Sequence, residues 1–148
     1  MEMTQMKSCT EDGPAEGGPV IYLVDDEPLL LTLEEISLAS PAWRIRKFED
    51  PERAWRSLSL ENPKPALLLT DYCMRGMNGL DLAARCKEIH PPLKVLLVSG
   101  TVSAEFVLNA PVKVDRFLPK PFVPQQLFNA VKSLLEAECL EPVPAGGG

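Results

Sequence analysis

Five short runs of strand character, each followed by a stretch of helical character, constrain this chain more than any other feature. The runs are VIYLV (20–24), WRIRKF (43–48), ALLLT (66–70), KVLLVS (94–99) and DRFLP (115–119). VIYLV and ALLLT are continuous and apolar, as strands buried on both faces are, whereas WRIRKF alternates apolar with polar, as an edge strand does. The helix signals between them carry their own punctuation. Pro28 opens LLLTLEEISLAS and Ser40-Pro41 stops it; Pro51 opens a helix with Ala54, Trp55 and Leu58 that Asn62-Pro63-Lys64-Pro65 breaks. LDLAARCKEIH places Leu82, Ala83, Cys86 and Ile89 at helical spacing before Pro91-Pro92. Ser103 caps a short helix that Pro111 cuts off, and Pro124 opens a last one in which Leu127, Val131, Leu134 and Leu135 share a face. Five β–α units in alternation predict an α/β fold, a five-stranded parallel sheet with about five helices covering both faces.

The length of 148 residues suits one domain whose core needs no disulfide or metal staple. We expect a flexible arm over 1–19, a folded domain over 20–138 and a flexible tail over 139–148. No apolar run approaches the ~20 residues needed to span a bilayer. The N-terminus MEMTQMKSCTEDGPAEGGP has no apolar signal core, so the expectation is a cytoplasmic protein. The net charge of −6 sits at the ends, −3 over 1–19 and −3 over 136–148, and the middle sums to zero. No basic stripe is left to hold a phosphate backbone, which argues against direct nucleic-acid binding. Cys9, Cys73, Cys86 and Cys139 form no C-x-x-C unit and His90 is the single histidine. That argues against a zinc site or disulfide framework and for a reducing compartment.

In a parallel sheet the carboxyl ends of the strands point one way, and ligands bind outside them. The ends here carry Asp25, Asp26 and Glu27, then Asp71, then Ser99 and Gly100, then Lys120-Pro121. Read singly, these residues are also a solvated turn or helix cap, a plain turn and a surface lysine. Brought to one edge, the carboxylates repel one another unless something positive sits among them. A hard divalent cation is the natural solution, and Mg²⁺ typically binds one or two carboxylates together with phosphate oxygens and waters. Lys and Ser would then suit phosphate oxygens, in a site for phosphoryl transfer to a carboxylate.

Four segments, LVDDE, LLLTDYCMRGMNGLDL, VLLVSG and FLPKPF, occur in an order and at spacings that resemble the signature blocks of a two-component response-regulator receiver domain, chemotaxis-regulator-like and stand-alone. The resemblance covers about 20–138. It implies a flavodoxin-like doubly wound fold with sheet order 2-1-3-4-5. It implies Asp71 as phosphoacceptor, Asp26 as a direct Mg²⁺ ligand, Asp25 as a ligand through water and the Cys73 carbonyl as a further ligand. Ser99 would bond a phosphoryl oxygen, Lys120 would pair with another, and Phe117 would stand at the aromatic switch position. The peptide bond corresponding to Lys120-Pro121 is usually cis in the family. Such a protein takes its phosphoryl group from a histidine kinase or histidine phosphotransfer protein and passes the signal to a downstream protein target, in some members through a phosphorylation-dependent homodimer. It is not a turnover enzyme: it catalyses phosphoryl transfer to, and autodephosphorylation of, its own aspartate.

Three departures stand out. Arg75 occupies a position usually held by Pro, which predicts a more mobile loop or an added basic contact. The segment SAEFVLNAPVKVDRF lacks the usual Ala-Gly, which predicts a short or irregular fourth helix. Phe117 lacks the hydroxyl of the commoner Tyr, so its switching would rest on packing. A phosphorylation-independent pseudo-receiver acting as an interaction module is the alternative reading. A flavin-binding protein is a poorer one, because acids stand after the first strand where a phosphate loop is needed. The chain ends soon after its last helix, so output is expected through protein contacts or from an excised piece of a larger regulator.

Overall fold

The computed structural model describes residues 18–140. In chain order the elements are β1 (Val20–Val24), α1 (Pro28–Ser37), β2 (Arg44–Phe48), α2 (Pro51–Leu60), β3 (Leu67–Asp71), α3 (Gly79–Ile89), β4 (Lys94–Ser99), α4 (Ala104–Leu108), β5 (Arg116–Pro119) and α5 (Pro124–Leu140). The five strands form one parallel sheet in the order β2-β1-β3-β4-β5. This is the doubly wound α/β arrangement that the alternating pattern and the family resemblance both imply. The expected arm lies outside the described residues up to position 17, and the expected tail does so from 141; α5 itself runs to Leu140.

The apolar runs sort residues by parity because successive side chains leave a strand on opposite faces. Ile21 and Leu23 of β1 join Leu67 and Leu69 of β3 in one core, closed by Leu31 of α1, Leu38 just after it, and Leu127 and Val131 of α5. Val20, Tyr22 and Val24 join Leu68 in the other core, closed by Ala54 and Leu58 of α2 and Leu82 and Cys86 of α3. β1 and β3 are buried along their whole length, whereas β2 at the sheet edge buries only Phe48.

The helix ends follow local chemistry. Pro28 occupies the first turn of α1, where its missing N–H costs nothing. The Asp50, Asn78 and Ser103 side chains accept from Glu52, Asp81 and Phe106 N–H at 3.0, 2.8 and 3.1 Å. α4 is a single short turn of helix, as the sequence around Pro111 implies. Trp43 donates its indole N–H to the Leu38 carbonyl at 2.7 Å and packs on Phe128 at 5.2 Å. It therefore ties the start of β2 to the α1–α5 layer. Trp55 on α2 lies under the Arg85 guanidinium of α3. Neither indole lies at the carboxyl edge of the sheet. No described helix is long and apolar enough to cross a membrane.

Candidate functional site

Parallel register brings the carboxyl ends level. Val24 pairs with Phe48 and Thr70, Asp71 with Val98, and Ser99 with Pro119. Asp25 and Asp26 follow β1, Asp71 ends β3, Ser99 ends β4 and Lys120 follows β5. The Lys120 ammonium lies 2.8 Å from Asp71 Oδ1, with both side chains largely buried. The Lys120-Pro121 bond is cis, as is Asn62-Pro63.

Asp25 is buried, with 1% of its surface exposed. One carboxylate oxygen, Oδ1, accepts the Glu27 N–H at 2.9 Å, in the turn that leads into α1. The other, Oδ2, has no hydrogen-bond partner among the described residues. Burial pushes this carboxyl up to about 6, with the Glu27 N–H opposing and the Asp71 charge reinforcing the shift. Burial alone would lower the Lys120 ammonium; its bond to Asp71 and the fields of Asp71, Asp25 and Glu34 outweigh that and raise it.

Asp26 is reached by the loop after β3. The Arg75 N–H donates to Asp26 Oδ2 at 2.8 Å, and Arg75 Nε lies 3.6 Å from the same oxygen. This is the added basic contact that Arg75 predicted. The loop is folded back by Gly79, whose N–H donates to the Tyr72 carbonyl at 2.9 Å. A Cβ at Gly79 would stand 2.4 Å from the Asp71 carbonyl oxygen and 2.8 Å from Leu97 Cδ1, so only glycine fits. Cys73 lies in this loop with an exposed free thiol.

Ser99 is buried. Its hydroxyl oxygen accepts the Thr101 and Val102 N–H groups at 3.0 and 3.2 Å and lies 3.1 Å from Thr101 Oγ1. It thereby shapes the turn between β4 and α4. Phe117 is half-buried in β5, on a groove of about 630 Å³ that α4 and the segment after it also line.

One carboxylate escaped the sequence reading. Glu34 of α1 is only 5% exposed, and its Oε1 has no hydrogen-bond partner among the described residues. Burial pushes its carboxyl up to about 8, and the charge of Asp25 reinforces the shift. With Lys120, Pro121 and Leu127 it lines a groove of about 540 Å³ between α1 and the start of α5. A signal was there to find: Glu34 stands three residues after Leu31 on the same face of α1, and four before Leu38 at its C-cap.

Among the described residues no three His, Cys, Asp or Glu side chains converge as a ready-made metal cage. Mg²⁺ does not need one, because it keeps several waters and takes few carboxylates. The donor set fits such an ion. Two acids follow β1 and a third ends β3, and the unpartnered Asp25 Oδ2 could accept from an ion-bound water. The edge thus holds one carboxylate with an ammonium on it, two further acids, and a hydroxyl held in a turn.

The family profile described as response regulator receiver domain matches residues 21–132. Among curated proteins, the transcriptional regulatory protein CssR of Bacillus subtilis is 29% identical over 125 residues, which cover 84% of this chain and 54% of CssR. The sensor kinase CckA of Brucella abortus is 28% identical over 123 residues, covering 82% of this chain and 13% of CckA. The chain thus spans about half of the first relative and a small part of the second. Among solved structures, the CheY-like response regulator receiver domain protein of Methanospirillum hungatei superposes with a TM-score of 0.71 at 25% identity, covering 82% of this chain and 98% of that one.

Proposed function

This chain belongs to the response-regulator receiver domain family, and we propose that it works as a phosphoryl-accepting switch, with Asp71 as the acceptor. The observation that carries the reading is the Lys120 ammonium held 2.8 Å from the Asp71 carboxylate, beside two further acids on the neighbouring strand end. The phosphodonor is a histidine kinase or histidine phosphotransfer protein. An Asp71 carboxylate oxygen attacks the phosphorus. The P–N bond to the donor imidazole breaks, its electron pair returns to the ring, and a new P–O bond leaves Asp71 as an acyl phosphate.

Mg²⁺ held by Asp26, Asp71, the Cys73 carbonyl and, through water, Asp25 would neutralise the charge on the phosphoryl oxygens. Lys120 leaves Asp71 for one phosphoryl oxygen, and the Ser99 hydroxyl donates to another. The exposed Leu30 and Leu33 of α1 line the groove beside Lys120, and we place the approach of the donor there. Output runs through protein contacts, with Ser99 and Phe117 as the moving parts and a downstream protein or second copy as the reader.

Incubation with acetyl phosphate and Mg²⁺, read by intact mass, tests this. Wild type should gain ~80 Da and Asp71→Asn should gain nothing. A wild-type chain that stays unlabelled favours the alternative, a phosphorylation-independent interaction module. A fully labelled Asp71→Asn moves the acceptor elsewhere.

A further inference from the structure

Arg75 is a charged residue at this edge that the proposed transfer leaves without a task. Its contact with Asp26 has two unequal halves. The backbone N–H at 2.8 Å is held by the loop, whatever the side chain is. The guanidinium, 3.6 Å away, is 89% exposed, while the Asp26 side chain is 16% exposed. Gly76, at φ 89°, turns the chain immediately after Arg75, and the side chain has little packing to lose by moving. A guanidinium stays charged at every pH a folded protein meets. A permanent, loosely held cation therefore rests on the carboxylate read above as the direct ligand of a dication.

We propose that the Arg75 side chain is a tethered counter-ion on Asp26 that Mg²⁺ must displace, and that it thereby sets the metal affinity of the site. The inference rests on the reading of Asp26 as a metal ligand. A cation on Asp26 Oδ2 offsets part of the repulsion among the acids when the metal is absent, and repels the incoming dication. Because the pair faces solvent, the effect is modest and salt-sensitive. The backbone N–H keeps the carboxylate oriented in either state, so moving the side chain does not dismantle the ligand.

The test is calorimetric titration of the 148-residue chain with Mg²⁺ alone. At ionic strength of ~20 mM, Arg75→Ala should bind Mg²⁺ about twofold to fivefold more tightly than wild type. Arg75→Lys, which keeps the charge, should stay closer to wild type than Arg75→Ala does. The gap between Arg75→Ala and wild type should close at salt of about 0.5 M, where charges are screened within a few ångströms. Equal or weaker binding by Arg75→Ala at low salt overturns the proposal, as does a gain that survives high salt, which would mark a loop effect instead of a charge effect. Asp26→Asn separates the two readings. If it leaves Mg²⁺ affinity unchanged, Asp26 is no ligand and the inference falls with that assignment. If it weakens binding while Arg75→Ala gains nothing, only the counter-ion role fails.

Discussion

Lys120 reaches from the end of β5 past β4 to Asp71 at the end of β3, and the two charged atoms meet at 2.8 Å. The side chains are 26% and 11% exposed, so the pair is largely but not fully withdrawn from water, and its members do not carry equal weight. Among the described residues, Lys120 is the cation whose charge acts on Asp71, Asp25 and Glu34 together.

Removing the lysine should therefore cost more than removing the aspartate. Lys120→Met leaves the acids uncompensated and is expected to lower metal-free stability by roughly 1–3 kcal/mol, less than for a fully buried pair because water still reaches this one. Asp71→Asn removes one of the repelling acids and should cost less or nothing. Urea unfolding of both variants in the presence of a chelator measures this, and a larger loss for Asp71→Asn would contradict it.

Glu34 makes stability depend on pH. Its carboxyl titrates near 4.5 when unfolded and is pushed up to about 8 by burial, so the folded protein holds a proton that the unfolded chain releases. The stability this gives is complete below about pH 4.5 and is lost as the pH climbs to about 8. Asp25, pushed from 3.8 to about 6, acts in the same sense over a lower window. Metal-free wild type should lose stability on the order of 3 kcal/mol relative to Glu34→Gln between pH 5 and 8, at ~1.4 kcal/mol per pKa unit. Unfolding curves of the two proteins that run parallel across this range would show that Glu34 does not carry the slope.

The Ser99 hydroxyl oxygen is already held by the turn after β4. It now accepts from Thr101 and Val102 N–H, and turning toward a phosphoryl group on Asp71 should strain or release both bonds. With beryllofluoride as the phosphoryl mimic, the amide resonances of Thr101 and Val102 should move in wild type, together with the ring of Phe117. Ser99→Ala should still be labelled on Asp71 but lose the coupled response at Phe117. An identical Phe117 response in both proteins would remove Ser99 as the lever.

Gly79 should tolerate no side chain. The Cβ of Gly79→Ala would meet the Asp71 carbonyl oxygen at 2.4 Å, so either the acceptor strand or the loop must shift. A loss of roughly 1–3 kcal/mol is expected, with slowed labelling of Asp71 by acetyl phosphate. Gly76→Ala is the comparison: at φ 89° it is strained, but nothing lies near its Cβ, so its effect on labelling should be smaller.

Much of this molecule was legible without coordinates. VIYLV and ALLLT read as strands buried on both faces, Pro28, Pro51 and Pro124 marked helix starts, and Ser103 capped a short fourth helix. These are local matters, settled by apolar spacing and by what each residue does to its own backbone. The gathering of Asp25, Asp26, Asp71, Ser99 and Lys120 at one edge was legible too, because a parallel sheet leaves the carboxyl ends of its strands nowhere else to go.

What that gathering does with its atoms was decided by the tertiary structure. Arg75 meets Asp26 across 49 positions of sequence, and Ser99 spends its hydroxyl on a turn. Glu34, one acid among several on α1, is the one that packing seals beside Lys120 without a partner for Oε1. Spacing along a chain dictates which way a side chain leaves its own helix or strand. Which atom it then meets, and whether water can still reach it, depends on elements far away in sequence closing over it, and that is where the charges of this site acquire their values.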